Sequence, residues 1–374
     1  MELLLDYVNK EGVDLQAVLQ DVEHMLFIYA VQNENHEVME LLLEQGSNAG
    51  INIQKALKSR DYLLFQYAAQ NANHEVIKLL LKKGSDVGID IQEALKTEKY
   101  TTFSDAAKNK NHKVMELLLE KGSDVGIDIK KVLKAKSCMI FYYAAGNENH
   151  KVMELLLERV SNVEIDIITV LTRWTHSFFQ YAAQNVNHEV IKLLLEKGSD
   201  VGIDIKKVLK AKSCMIFYYA AGNENHKVME LLLERVSNVE IDIITVLTRW
   251  THSFFQYAAQ NVNHEVIKLL LEKGSDVGID IKKVLKAKSC MIFYYAAGNE
   301  NHKVMELLLE RVSNVEIDII TVLTRWTHSF FQYAAQNVNH EVIKLLLEKG
   351  SDVGIDINYY RLKRGSLCNA CKAD

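Results

Sequence analysis

Apolar residues along this chain keep a helical rhythm that restarts every 38 residues. In Asn185-Val186-Asn187-His188-Glu189-Val190-Ile191-Lys192-Leu193-Leu194-Leu195, the spacing of Val190, Leu193 and Leu194 draws an apolar stripe down one helix face. Upstream, Ser177-Phe178-Phe179-Gln180-Tyr181-Ala182-Ala183 places Phe179, Ala182 and Ala183 at i, i+3 and i+4, and the small alanines let another helix approach closely. A third pattern lies between one such pair and the next. There Asp128 precedes Ile129, Val132 and Leu133, and Asp166 precedes Ile167, Val170 and Leu171. An aspartate N-cap with an apolar stripe behind it predicts a short extra helix; Ile-Asp-Ile alone is also compatible with the start of a strand.

Helix ends carry their own signals. Ser177 or Thr101 is the expected N-cap of a first helix. Gly46, Gly84, Gly122, Gly198, Gly274 and Gly350 stand just past the second helix, where a left-handed residue is expected. Val160, Val236 and Val312 take that place in alternate units. A β-branched residue fits a left-handed conformation poorly, so those helices are expected to end differently, using Asn162, Asn238 and Asn314.

The unit is marked by a histidine at a fixed interval: His36, His74, His112, His150, His188, His226, His264, His302 and His340. Two units make a 76-residue block, and three blocks, 117–192, 193–268 and 269–344, are identical in every residue. Two short helices cannot bury an apolar face alone, whereas stacked pairs bury a continuous one.

This pattern resembles the ankyrin repeat. That family's first helix is typically introduced by T-P-L-H-x-A-A, and its second reads G-H-x-x-V-V-x-L-L-L-x-x-G-A. Here Ser177 to Ala183 takes the first place and Asn187-His188 through Gly198-Ser199 the second. The resemblance covers about nine units, nearly the whole chain. No unit keeps the proline, and its histidine is replaced by Gln180, Tyr142, Gln66 or Ile28; proline at a first turn is preferred but dispensable. The family's unit is usually about 33 residues, and the extra residues all fall between the glycine and the next first helix. The fold expected is therefore all-α: an ankyrin-like α-solenoid of stacked helix pairs, with a short extra helix in place of the β-hairpin finger.

Three segments follow: a partial N-terminal repeat over 1–24, an array over 25–357, and a non-repeat basic tail over 358–374. Glu2-Leu3-Leu4-Leu5 aligns with Glu40-Leu41-Leu42-Leu43, so the chain begins inside a second helix. That half-unit is either a crude cap or the cut edge of a longer ancestral array. The tail from Asn358 is either a C-terminal cap or a product of frameshift or read-through.

Composition narrows the function classes. An apolar content of 48% with no run of 18 apolar residues argues against a membrane span, and a net charge of −5 gives no push towards nucleic acid. Cys138, Cys214 and Cys290 are one duplicated position, too far apart to pair, which suits a reducing cytoplasm. The lone Cys368-x-x-Cys371 lacks the further ligands of a zinc site and a thioredoxin-like context. The histidines, one per unit, cannot share an ion and are expected to hydrogen-bond the turn between helices. No catalytic constellation, cofactor motif or metal set is visible.

Contact candidates lie between the extra segment and the first helix. Arg173-Trp174, Arg249-Trp250 and Arg325-Trp326 combine residue types that dominate interface hot spots, although each tryptophan could instead pack beneath the inserted helix. In the alternating units the same region carries Lys130, Lys131, Lys134 and Lys136, either a basic band or a solvated face. The resemblance implies a non-enzymatic protein–protein interaction scaffold that uses the inserted-helix edge. Diverged, proline-poor arrays look like those of intracellular bacteria and large DNA viruses, which puts a host protein beside other cytosolic ones as partner. Two alternatives stand: a truncated or recently expanded array with no dedicated partner, and a nucleic-acid-binding α-solenoid, which the acidic balance disfavours.

Overall fold

A computed structural model describes residues 15–33, 35–48, 51–109, 111–146, 150–161, 177–222, 226–237, 241–298, 302–313 and 329–352. The chain forms two compact units, one of Met1–Tyr181 with Glu196–Ile203, the other of Ala182–Leu195 with Asp204–Asp374. Among the described residues the regular elements are all helices. In the first unit the second helices run His36–Gln45, His74–Asp86, His112–Asp124 and His150–Ser161; in the other they include His226–Ser237, His264–Lys273, His302–Ser313 and His340–Asp352. Among the described helices of each unit, second helices pack on the next second helix, and the long helices that carry the first-helix residues pack on one another in the same order. Each unit is thus an all-α solenoid of stacked helix pairs.

The extra helix is present, and it runs into the first helix without a loop. Ile53–Gln70 is two right-handed helices joined by a sharp turn. Ser59 leaves the first of them at φ −56°, ψ 138°, and Arg60, Asp61 and Tyr62 follow at φ 48°, 53° and 59°. Thr97 to Tyr100 in Ile91–Ala107 and Ala135 to Cys138 in Ile129–Gly146 repeat these four steps. Three consecutive left-handed residues cost roughly 1–2 kcal/mol each. Two of the turns drive their last residue inward, since Tyr62 and Cys138 are buried while Tyr100 is half-buried, and the Tyr62 hydroxyl donates to Glu93 Oε2 of the next repeat at 2.9 Å. Thr101, expected as an N-cap, instead donates its hydroxyl back to the Glu98 carbonyl at 2.8 Å, because the turn before it supplies an open acceptor.

Asparagine and aspartate open the other helices. Asp90 and Asp280 accept from the amides of Glu93 and Lys283 at 2.9 and 3.0 Å, and Asp128 from that of Lys130 at 3.0 Å, as the sequence predicts. At the second helix the cap is Asn, not the neighbouring His. Asn73 Oδ1 accepts from the Val76 amide at 3.1 Å and Asn111 Oδ1 from the Lys113 amide at 3.2 Å. The amide group of the same side chain reaches the previous repeat: Asn111 Nδ2 donates to the Ala72 carbonyl at 2.8 Å, and Asn263 and Asn339 to those of Ala221 and Ala297 at 3.3 Å.

The left-handed glycine lies four residues beyond the expected one. Gly84 and Gly122 are inside their helices, and Gly46 and Gly274 have φ −58° and −61°. Gly88, Gly126, Gly202 and Gly278 carry φ between 77° and 84°. Ile89 N–H bonds the Gly84 carbonyl at 2.8 Å and Gly88 N–H that of Ser85 at 3.1 Å, the paired closure of a Schellman motif. The earlier position is right-handed, so Val160, Val236 and Val312 occupy it without strain, and all three are buried. Asn162, Asn238 and Asn314 lie outside the described residues.

The core runs down the stack. Phe65, Phe103 and Phe141 in one unit, and Phe217, Phe255 and Phe293 in the other, are fully buried at 38-residue spacing. The second-helix stripe is Val190, Ile191, Leu194 and Leu195, with Leu193 only half-buried. Two adjacent columns are needed because each second helix meets both its own first helix and the next second helix. Ring stacks bind the first helices: Tyr142 on Tyr181 at 4.1 Å between centroids, Tyr218 on Tyr257 at 4.0 Å, Tyr294 on Tyr333 at 3.9 Å. Gly146, Gly222 and Gly298 leave room for them, since an added Cβ would sit 1.8–2.0 Å from the tyrosine ring.

Two outcomes test these features. Asn111→Ala loses both the cap and the cross-repeat bond, and should lower stability in urea by about 1–3 kcal/mol, while Asn111→Asp keeps the cap acceptor and recovers only part. Asp61→Gly, at φ 53°, should raise stability by about 0.5–1 kcal/mol, the left-handed strain relieved less the extra unfolded-state entropy, whereas Asp61→Val should lower it.

Candidate protein-binding edge

The inserted helices and their left-handed turns build the edge that the sequence singled out. In the first unit, Lys96, Lys99 and Tyr100 of one repeat face Lys131, Lys134, Ala135 and Lys136 of the next across an open groove of about 440 Å³. The turn positions one wall and the following inserted helix the other. Lys136 Nζ donates to Thr101 Oγ1 at 2.8 Å, tying the walls together. Partial burial, with the Asp128 carboxylate as a lesser cause, holds the Tyr100 phenol above its usual pKa. It is therefore a neutral hydroxyl at pH 7, able to donate.

The second unit carries the same groove. His252 of one repeat faces Asp280, Lys282, Lys283, Val284, Lys286 and Ala287 of the next, around about 680 Å³. His252 holds the place of Tyr100, and Lys283 and Lys286 those of Lys131 and Lys134, four repeats on. Asp280 spends one oxygen on the Lys283 amide at 3.0 Å, and His252 Nε2 lies 3.3 Å from Ser253 Oγ. Sequence reasoning singled out the lysine band and the segment Arg249-Trp250-Thr251-His252, but not that His252 faces the lysines of the next repeat. The signal was available, because a residue of one turn meets the inserted helix about 31–35 positions later.

Of the predicted contact residues, Arg249 and Trp250 fall within the helix Ile241–Gln260, on the segment that leads to His252. Arg173, Trp174, Arg325 and Trp326 lie outside the described residues, as do Cys368 and Cys371.

The histidines do not tie down the turn between helices. His74, His188 and His264 are half-exposed and pair with the following glutamate: His74 Nδ1 is 3.0 Å from Glu75 Oε1, and the other two contacts are 3.2 Å. The His74 hydrogen bond lowers the Glu75 pKa. The adjacent asparagine has taken over the capping role. Among the described residues no cluster of three or more His, Cys, Asp or Glu could hold a metal ion, and no helix is long and apolar enough to cross a membrane. The second helices carry a cross-repeat ladder that was not foreseen: Lys273 meets Glu230 at 2.6 Å, Lys349 meets Glu306 at 2.6 Å, and Lys197 pairs with Glu154. These carboxylates hold their lysines above the usual pKa.

A family model for ankyrin repeats in three copies matches residues 27–129, 103–207, 181–283 and 255–358. The chain belongs to the ankyrin repeat family. No curated protein matches it. Ankyrin repeats are generally protein–protein interaction modules and typically non-enzymatic. Within the family pattern, Phe178, Phe254 and Phe330 stand where the proline is expected. Each stacks on the preceding Phe141, Phe217 or Phe293 at 5.7–5.8 Å between centroids, so lost backbone restraint is replaced by ring packing.

Cys138 and Cys290 are buried and free, and burial raises their thiols from 9.0 to about 11, the nearby Lys134 or Lys286 offsetting only part. The folded pKa exceeds the unfolded one, so this stabilisation is complete below pH 9 and is lost as pH rises through 11. Unfolding in urea at a series of pH values should show a fall in stability between pH 9 and 11, and a variant with Cys138→Ala and Cys290→Ala should flatten it.

Proposed function

We propose that this ankyrin repeat protein is a non-enzymatic scaffold that holds a protein partner along its inserted-helix edge. The observation that carries the reading is a lysine-lined groove at the corresponding place in each of the two units, with Tyr100, Lys131, Lys134 and Ala135 in one matched by His252, Lys283, Lys286 and Ala287 in the other. Arg173, Trp174, Arg249, Trp250, Arg325 and Trp326 are the contact residues of this reading; in sequence each pair stands two or three positions before His176, His252 or His328, and His252 lines the second groove. In this reading the tryptophans are the anchors and the lysines the surrounding charge, the arrangement that concentrates binding energy in a few large side chains. A cytosolic or host protein is the expected partner.

A second reading, a recently expanded array with no dedicated partner, draws on the complete identity of the three 76-residue blocks. The two separate in one experiment. Trp174→Ala, Trp250→Ala and Trp326→Ala combined should abolish capture of a defined protein from cytosolic extract while the far-ultraviolet circular dichroism stays unchanged. Loss of helicity would instead make the tryptophans core residues. Absence of any captured protein with the unaltered chain would favour the expanded array.

A further inference from the structure

We infer that the lysine-walled grooves take an acidic, extended peptide segment of the partner, one short stretch of aspartate or glutamate side chains per groove. The inference rests on the reading of this edge as the contact face and adds the chemistry of what lies in it. Its basis is the charge and shape of two grooves with one construction. In the first, Lys96, Lys99, Lys131, Lys134 and Lys136 surround the Tyr100 hydroxyl and the Ala135 methyl. In the other, Lys282, Lys283 and Lys286 line one wall with Val284 and Ala287 between them, and His252 closes the opposite side. Volumes of about 440 and 680 Å³ accommodate a few residues of chain, not a folded surface.

The cations are lysines, which act as compact point charges rather than as the planar forks that arginine offers to phosphate. Carboxylates spaced along a peptide meet such charges one at a time. The apolar spots between the lysines suit the methylenes of aspartate and glutamate. Asp280 then discriminates. Its carboxylate stands in the groove wall among the lysines. An extended peptide brings backbone N–H donors that it can accept, whereas a nucleic-acid backbone brings only further negative charge. The net charge of −5 acts in the same direction, disfavouring a long polyanion laid across the whole surface while leaving local basic grooves intact. The lysine set returns at Lys206, Lys207 and Lys210, one 76-residue period from each of the others, so a partner with several acidic stretches could engage more than one copy.

The test uses the full chain and a fluorescein-labelled twelve-residue peptide of alternating glutamate and glycine, with thymidine oligonucleotide dT20 and inorganic pyrophosphate as competitors, read by fluorescence anisotropy. The peptide should bind, weaken as salt rises, and lose at least about tenfold in affinity when Lys131→Gln, Lys134→Gln, Lys283→Gln and Lys286→Gln are combined, since four exposed charge contacts of less than tenfold each add up. The variant's circular dichroism should match that of the parent, because Lys131 and Lys283 are exposed and Lys134 and Lys286 half-exposed. Equal affinity in the variant, tighter binding of dT20 than of the peptide, or displacement by pyrophosphate at equimolar concentration would overturn the inference. If the peptide fails while the tryptophan variant still loses its captured protein, the acidic-segment chemistry falls and the scaffold stands. If both fail, the contact face itself is wrong.

Discussion

The asparagine at the head of a second helix bonds in two directions at Asn111, Asn263 and Asn339, and the stack around each of them depends on it. Its oxygen closes the exposed amides of its own helix, while its NH₂ group reaches a carbonyl at the end of the previous first helix. A side chain that bonds only locally would fix a helix start; one that bonds only across would fix a spacing. Doing both locks the register of one repeat to the next. Asn263 and Asn339 do this almost wholly buried, where a missing partner is costly and a satisfied one correspondingly specific. Apolar burial supplies most of the energy, since helices of ten to thirteen residues are marginal by themselves. The phenylalanine columns and tyrosine stacks only meet, however, if the asparagines hold the layers in register.

Five additional residues per repeat change what the family's architecture exposes. They form a short helix that continues the apolar face through residues such as Leu57, Leu95 and Leu133, and a left-handed turn that reverses onto the first helix. Three strained residues persist in each turn because the packing on either side leaves no alternative path. The turn also separates two populations of side chain. Its third residue goes inward at Tyr62 and Cys138 and lines the groove at Tyr100, while its first two remain exposed. Groove and strain therefore come from the same few bonds.

Much of this was legible in the sequence because periodicity of apolar residues is read directly from the chain. The helix pairs, the extra helix, its aspartate caps and the family all follow from spacing. Errors arose where two residues offered the same local signal. Gly84 and Gly88 both suit a helix end, and only the bonds to Ile89 and Gly88 decide that the second is left-handed. His74 was expected to bond the turn between helices, but the neighbouring Asn73 closes the helix start because its short side chain reaches the Val76 amide, while the imidazole pairs with Glu75. Leu193 matched a helical stripe by arithmetic, but a helix with neighbours on two sides buries Ile191 and Leu195 instead. The facing walls of the grooves were hidden for a different reason. They join residues from successive repeats, and a helical pattern within one segment says nothing about what stands opposite.

The alternation of two repeat types bears on selection. If the array had lengthened by duplication alone, the unit copied could have been one repeat of 38 residues; the identical unit is the pair. A pair contains one lysine-bearing inserted segment and one arginine–tryptophan segment. The ion-pair ladder has the same period, with Lys197, Lys273 and Lys349 each meeting a glutamate of the other repeat type. A single-repeat duplication would have changed the neighbours on both edges of the helix pair, while duplication of the pair left every neighbour as it was. Recombination that leaves all contacts unchanged is tolerated by the fold whether or not a ligand demands it, so the identity of the blocks follows first from packing, and any use of the grooves is built on an array the physics already permits.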